Sequence, residues 1–307
     1  MNSNLKSKTN KNYIMQRRIR DIVFFAVMAG IPILQVCIFY IGVNINSILL
    51  AFRKYDITSM TYFWNGLENF KQFFESFKVY SYMRASVKNS FIVFFSTILV
   101  SFSGGIVMSF YIYKKRFLGK FFRVMLFMPS MISSIIMVTI FSFFADSAVP
   151  AITNNATIGL LANPDTTFIT MLLFSLWLGF GSGMLVYTGT MNGIPESLIE
   201  AAKLDGCGTV KEFIHITIPS IYSTIIVFFV GQMSVFFSNQ MNLFAFYGAD
   251  ADYKLYTFGY WLYVSVQRGS LADYPYLSAV GLILTAILAP IVLITRKLLL
   301  KFGPSAD

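Results

Sequence analysis

The chain has 307 residues, of which 56% are hydrophobic and only 12% charged. A soluble domain carries about 25% charged residues, so this composition excludes an ordinary soluble protein and points to the bilayer. The formal net charge of +10 does not form one patch but gathers at the ends of apolar runs, the pattern of membrane topology rather than of nucleic-acid binding.

Residues 1–21 are polar and basic, with Lys6, Lys8, Lys11, Arg17, Arg18 and Arg20 against Asp21. An uncharged run over 22–43 follows, long enough to span about 30 Å of hydrocarbon. It is longer than a signal-peptide core and ends in Gly42-Val43-Asn44, which predicts an uncleaved helix. Residues 44–87 are mixed, a loop with some local structure. Apolar runs then cover about 89–113, 122–144 (with Pro129 inside), 167–191, 219–240 and 274–295. Proline is tolerated in such helices because neighbours resatisfy the freed carbonyl. Residues 241–274 read as a further loop, rich in Tyr and Asp.

Six runs put both termini on one side. That side holds the basic N-terminus, then Lys114, Lys115, Arg116, Lys120 and Arg123, then Lys203 and Lys211, then Arg296, Lys297 and Lys301. These are sixteen of the 24 Lys and Arg, and an excess of Lys and Arg marks the cytoplasmic side. The 44–87 loop, which is longer and weighs less, runs against this.

Two cysteines, Cys37 and Cys207, allow no disulfide framework or metal spacing. His215 is the sole histidine, and Phe213, Ile214 and Ile216 beside it offer neither ligand nor nucleophile. No metal site and no catalytic group is expected. Nor does any G-x-x-x-x-G-K-[ST] loop occur, so the chain has no recognisable means of holding ATP. Gly179 and Gly183 fall four apart on one helix face, a surface for close helix packing, and Gly104, Gly105 and Ser109 read alike. Polar residues within the runs are Gln35, Asn89, Gln232, Ser234, Asn239 and Gln240, with Trp177 and Tyr187 adding aromatic faces with polar tips. Such groups either bond neighbouring helices or line a pathway. Gln232, Asn239, Trp177 and Tyr187 are the candidates for a pathway. No charge sits mid-run, which disfavours an ion or proton relay.

The stretch 194–219 is polar and sits between two apolar runs. Pro195 suits a first helical position, Glu196 and Glu200 place negative charge early in the helix, and Ala201 and Ala202 keep it slim. Gly206 supplies the permissive residue at its end. Thr209 with Glu212 predicts a capping box for a second helix, and Pro219 closes the segment.

Glu200-Ala201-Ala202, Asp205-Gly206, Phe213, Ile216 and Pro219, flanked by Ile194-Pro195 and Ile216-Thr217-Ile218-Pro219, resemble the cytoplasmic EAA loop of ABC importer permeases. Cys207 and Ile218 depart conservatively from that pattern. Gly66-Leu67-Glu68-Asn69-Phe70 looks like an element that follows the first helix of sugar-type permeases. The aromatic segment Tyr256-Thr257-Phe258-Gly259-Tyr260-Trp261, with Tyr274 to Leu282, looks like carbohydrate-uptake permeases.

The resemblance implies an all-α polytopic membrane protein with six transmembrane helices and the type I ABC importer permease fold, both termini cytoplasmic. Residues 1–83 would hold the N-terminal tail, first helix and external loop. Residues 84–300 would hold a five-helix core with the coupling loop at 192–219, and 301–307 a C-terminal tail. It implies a coupling helix docking into a groove on an ATPase dimer, with Glu200, Ala201, Ala202, Asp205 and Gly206 as its contacts. A second homologous permease, an external solute-binding protein and a sugar substrate complete the expected partners, besides the lipid bilayer. ATP and Mg are expected on the ATPase, with no cofactor on this chain. A permease for a non-sugar solute and a stand-alone secondary transporter are the alternatives.

Overall fold

The computed structural model describes residues 2–153 and 159–304, so part of the predicted 301–307 tail lies outside the described residues. Among the described residues, five helices are long and apolar enough to cross a membrane: Arg17–Leu50, Ser81–Tyr113, Ser134–Ile152, Pro164–Asn192 and Tyr274–Phe302. Thr209–Ser220 and Tyr222–Ser234, bent by 74°, complete a sixth if they are one span. Sharp kinks sit almost always at proline or a comparable break, and here Pro219 lies in the last turn before the bend.

The chain divides into two compact units, residues 1–70 with 271–282 and residues 71–270 with 283–307. In the first unit, the Arg17–Leu50 helix carries exposed apolar side chains along its length, a surface that only lipid or another membrane protein can cover. After it the chain leaves helical structure for a short antiparallel hairpin, Arg53–Asp56 with Thr61–Trp64. At its turn, the Ser59 hydroxyl and the Thr58 N–H hold the Asp56 carboxyl below its ordinary range. The Gly66–Phe70 element has a clear physical task. Gly66 takes a left-handed φ of 60°, which only glycine adopts freely. Buried Asn69 then donates to the Ala51 and Arg53 carbonyls at 2.8 and 2.7 Å, and Phe70 packs on Phe52.

In the second unit the helices are joined mainly by small residues and hydroxyls. Lipid tails are as apolar as leucine, so packing and interhelical hydrogen bonds have to bring membrane helices together. Ser101 donates to the Leu176 carbonyl at 2.7 Å, and Ser109 reaches the Met184 carbonyl at 3.3 Å. A Cβ on Gly181 would stand 2.6 Å from the Leu126 carbonyl oxygen, so glycine there lets the Gly119–Met131 helix lie against Pro164–Asn192. Gly179 packs on Ser101 as the spacing predicts, but Gly183 instead leaves room for the ring of Tyr187 on its own helix. Asn89 is a clip, donating to the carbonyls of Lys254 and Tyr256 at 2.8 and 2.9 Å.

Three predicted segments differ. The 122–144 run is not one helix: Gly119–Met131 ends just after Pro129, Ile132 and Ser133 are extended, and a new helix starts at Ser134. The 219–240 run is broken at Ile221: Pro219 and Ser220 end the preceding helix, Tyr222–Ser234 is a second one, and the chain turns from Val235 onward. The 241–274 segment contains the Leu243–Tyr247 and Phe258–Arg268 helices rather than loop alone. Phe258, Tyr260 and Trp261 are buried there, so hydrophobic side chains in an apparent loop turn out to be core. Tyr260 fixes the preceding turn, donating to the Gly248 carbonyl and accepting from the Ala251 N–H.

Candidate functional site

The 194–219 stretch folds as helix, turn, helix. The first helix is Glu196–Leu204, and Pro195 stands one position before it, as the N-cap, rather than inside it. Gly206 has φ 74°. Its N–H donates to the Lys203 carbonyl and the Cys207 N–H to the Ala202 carbonyl, at 3.1 and 2.9 Å. This pair of bonds is a Schellman ending, which needs a residue in the left-handed region. Ile199 is the buried residue of the helix, set in a cluster with Ile106, Phe110, Tyr187, Met191, Ile194 and Ile221. Glu200, Ala201, Asp205 and Gly206 are exposed and Ala202 is half-buried. The helix thus stands on one apolar anchor and presents its glutamate and alanines outward.

The predicted capping box does not form. Gly208 takes the N-cap position of the second helix, and Thr209 is its first residue. The Thr209 hydroxyl accepts from Arg116 Nη2 at 3.0 Å. Glu212 turns into the protein and accepts from Lys114 Nζ with both carboxylate oxygens, at 2.6 and 2.8 Å. A charge-assisted pair is about twice as strong as a neutral bond, so the ammonium outcompetes the backbone N–H that a capping box would have used. Phe213 packs on Phe110 with ring centroids 4.7 Å apart, and Lys114 lies over the Phe110 and Tyr113 rings. His215 is exposed, with Nδ1 facing the Lys211 carbonyl.

A second feature lies deeper. A cavity of about 240 Å³ is lined by Thr97, Ser101, Phe102, Gly105, Ser175, Leu178, Gly179, Phe180, Gly183, Tyr187, Phe228, Gln232, Asn239 and Asn242. Three of the four residues expected to line a pathway, Tyr187, Gln232 and Asn239, meet here. Trp177 does not: it lies outside the lining and packs against Phe174. Asn239 reaches the cavity from the irregular segment after the Tyr222–Ser234 helix, not from a helix face. Its position is over-determined. Asn239 Oδ1 accepts from the Met241 N–H at 2.9 Å, and its carbonyl accepts from the Thr257 hydroxyl at 2.8 Å. A Cβ on Gly259 would lie 2.8 Å from the Asn239 carbonyl oxygen, so glycine there permits the backbones to touch.

Sequence reasoning missed Ser175 and Asn242. The Ser175 oxygen is buried and has no hydrogen-bond partner among the described residues, and a native buried polar atom without a partner calls for an explanation. Asn242 holds φ 56° after Met241 at φ 51°, a left-handed pair that asparagine tolerates better than most. No charged side chain is among the lining residues, which combine hydroxyls, amides and the rings of Phe102, Phe180, Tyr187 and Phe228. Tyr187 also belongs to the cluster that holds Ile199, so one side chain touches both the cavity and the anchor of the exposed helix.

Residues 101–304 match the family model described as binding-protein-dependent transport system inner membrane component. The chain is 30% identical over 200 residues to the probable ABC transporter permease protein YesP of Bacillus subtilis, covering 60% of this chain and 59% of that one. It is 24% identical over 293 residues to the polygalacturonan/rhamnogalacturonan transport system permease protein YteP of the same organism, covering 88% and 87%. Among solved structures it is similar to a chain of a bacterial ABC transporter involved in the import of the acidic polysaccharide alginate. That match has a TM-score of 0.74 at 18% identity and covers 94% of this chain and 99% of that one. At that identity the likeness is one of fold.

Proposed function

Because this chain belongs to the family of binding-protein-dependent transport system inner membrane components, we propose that it is the permease subunit of an ATP-driven ABC importer for a neutral sugar or oligosaccharide. The observation that carries the substrate class is the cavity. Its lining is uncharged and pairs hydroxyl and amide groups with aromatic rings. Sugar hydroxyls suit the first, sugar CH faces the second, and the orphaned Ser175 oxygen is an available partner. Polyamines or phosphate would need compensating charge, because an unpaired ion in a low-dielectric site is very costly. The relative named for polygalacturonan/rhamnogalacturonan transport supports a saccharide cargo; the neutral charge is argued from the cavity lining alone.

The exposed helix is the coupling element in this account. Glu200, Ala201, Ala202, Asp205 and Gly206 meet a groove on an ATPase dimer, which holds ATP and Mg. A second homologous permease pairs with residues 84–300, and an external binding protein delivers the sugar. Both termini and the 192–219 loop face the cytoplasm. Closure of the ATPase dimer pulls the helix, Ile199 pulls on the cluster around Tyr187, and the pair of permeases opens outward. Uptake then follows from rocking of packed helices, with no chemistry on this chain.

Affinity purification of the tagged chain from its native membrane in mild detergent tests the assembly. An ATPase and a second polytopic permease should co-purify, and the associated binding protein should bind a neutral glycan. A chain that comes alone, even with cross-linker at Ala202→Cys, contradicts the proposal.

A further inference from the structure

A cavity of about 630 Å³ opens beside the loop between the Ser81–Tyr113 and Gly119–Met131 helices. Its lining includes Lys115, Arg116, Lys120 and Arg123 and no acidic residue. All four cations are exposed, and Lys115, Lys120 and Arg123 have no ion-pair partner among the described residues. Arg116 uses one Nη2 on Thr209 and keeps its other donors. The backbone is bent to gather them: Lys115 and Leu118 both take left-handed conformations, φ 50° and 57°. That region is strained for an L side chain.

The charge is set against the local field. The Gly119–Met131 helix has no acid in its first turn and no side-chain cap at Leu118. A helix N-terminus disfavours cations and favours anions, yet Lys120 stands there. An anion in the cavity would offset both costs. The flank is apolar: Leu118 and Phe121 line the cavity, and Phe117, Val124 and Met125 beside them are exposed. The site stands at the end of Ser81–Tyr113, a helix long and apolar enough to cross a membrane, and so at the level where lipid headgroups lie and basic pockets recognise them.

We infer that this cavity binds the phosphate headgroup of an anionic phospholipid, with its acyl chains along Leu118 and Phe121. The inference rests on the membrane assignment of the Ser81–Tyr113 helix and not on transport, so lipid retention and uptake can fail separately.

The test is native mass spectrometry of the purified complex from mixed micelles of phosphatidylglycerol and phosphatidylcholine. Wild type should retain phosphatidylglycerol at least about a hundredfold over phosphatidylcholine, since each nearby cation contributes roughly fivefold in affinity. Lys115→Gln with Lys120→Gln and Arg123→Gln should lower that retention on the order of a hundredfold. Lys115→Arg with Lys120→Arg and Arg123→Lys should preserve it. Phe121→Ser should weaken phosphatidylglycerol severalfold while leaving binding of inorganic phosphate unchanged. Should the triple variant not remain monodisperse, wild-type retention must still fall steeply with salt. Equal retention of the two lipids, salt-independent retention, or undiminished retention in a well-behaved triple variant overturns the inference. So does phosphate binding as tightly as the lipid with Phe121→Ser silent, which would mark a free-anion site.

Discussion

Lys114 and Glu212, 98 residues apart in sequence, form a two-pronged ion pair at 2.6 and 2.8 Å, with Glu212 only 4% exposed. The pair ties the end of the Ser81–Tyr113 helix to the second arm of the 194–219 segment. Arg116 on Thr209 and Phe110 on Phe213 reinforce the same seam. The 194–219 segment is therefore fastened at two points, Ile199 in its cluster and Glu212 on Lys114.

Removing one partner of a buried pair leaves a charge without compensation and costs about 3–5 kcal/mol. Lys114 is partly solvated, so Lys114→Met is expected at the lower end, about 3 kcal/mol, read as a fall in thermal unfolding temperature of the detergent-solubilised protein. The exchange Lys114→Glu with Glu212→Lys should recover at least half of the loss. If the exchange is no better than the worse single variant, the ion pair is not what holds this seam.

At the turn, Gly206→Leu forces a branched side chain into φ 74°, while Gly206→Asn should be milder because asparagine tolerates that region. Gly206→Leu and Glu200→Lys should both leave the protein in the membrane but abolish the coupling of ATP hydrolysis to uptake. Parallel measurement of ATPase rate and glycan accumulation in proteoliposomes checks this. Normal uptake in both variants would remove the helix from the coupling path.

Ser175→Ala separates stability from function. Deleting a buried hydroxyl with no partner relieves a desolvation cost of about 1–3 kcal/mol, so the variant should unfold at a higher temperature than wild type. If the hydroxyl meets substrate, uptake should fall severalfold in the same protein. A variant that is neither more stable nor slower would show that Ser175 already has a partner.

Gly259→Ala would place a Cβ 2.5 Å from the Ser238 carbonyl carbon. Backbone cannot swing aside as a flexible side chain can, and overpacking of this kind costs about 1–3 kcal/mol. The segment carrying Asn239 must shift, so uptake should fall even where the protein remains folded. Retained uptake with full stability would mean that the segment tolerates displacement.

Much of the membrane architecture was legible because long uncharged runs have few alternatives to a spanning helix. The breaks were less so: Pro129 and Pro219 were visible, but only the packing of neighbours decides whether proline is absorbed or ends a helix. Gly206 was readable from its place after a slim amphipathic helix. Glu212 was misassigned because Thr209 at three-residue spacing fits a local cap, while Lys114 is a distant partner that no local pattern announces. In the cavity, Tyr187, Gln232 and Asn239 stood out as polar groups in apolar surroundings. Ser175 did not, since a helical serine normally bonds its own turn, and Trp177 misled because its exposed ring lies off the cavity wall. The aromatic segment 256–261 read as part of a loop, yet Phe258, Tyr260 and Trp261 are buried core on a helix.

The most direct test of the account is ATP-driven uptake of a neutral oligosaccharide by the purified assembly in proteoliposomes, with binding protein supplied on the outer side. Accumulation should require ATP inside and the binding protein outside, and Gln232→Leu together with Asn239→Leu should reduce it severalfold while ATPase activity persists. Accumulation without ATP, or full uptake in the double variant, would contradict it.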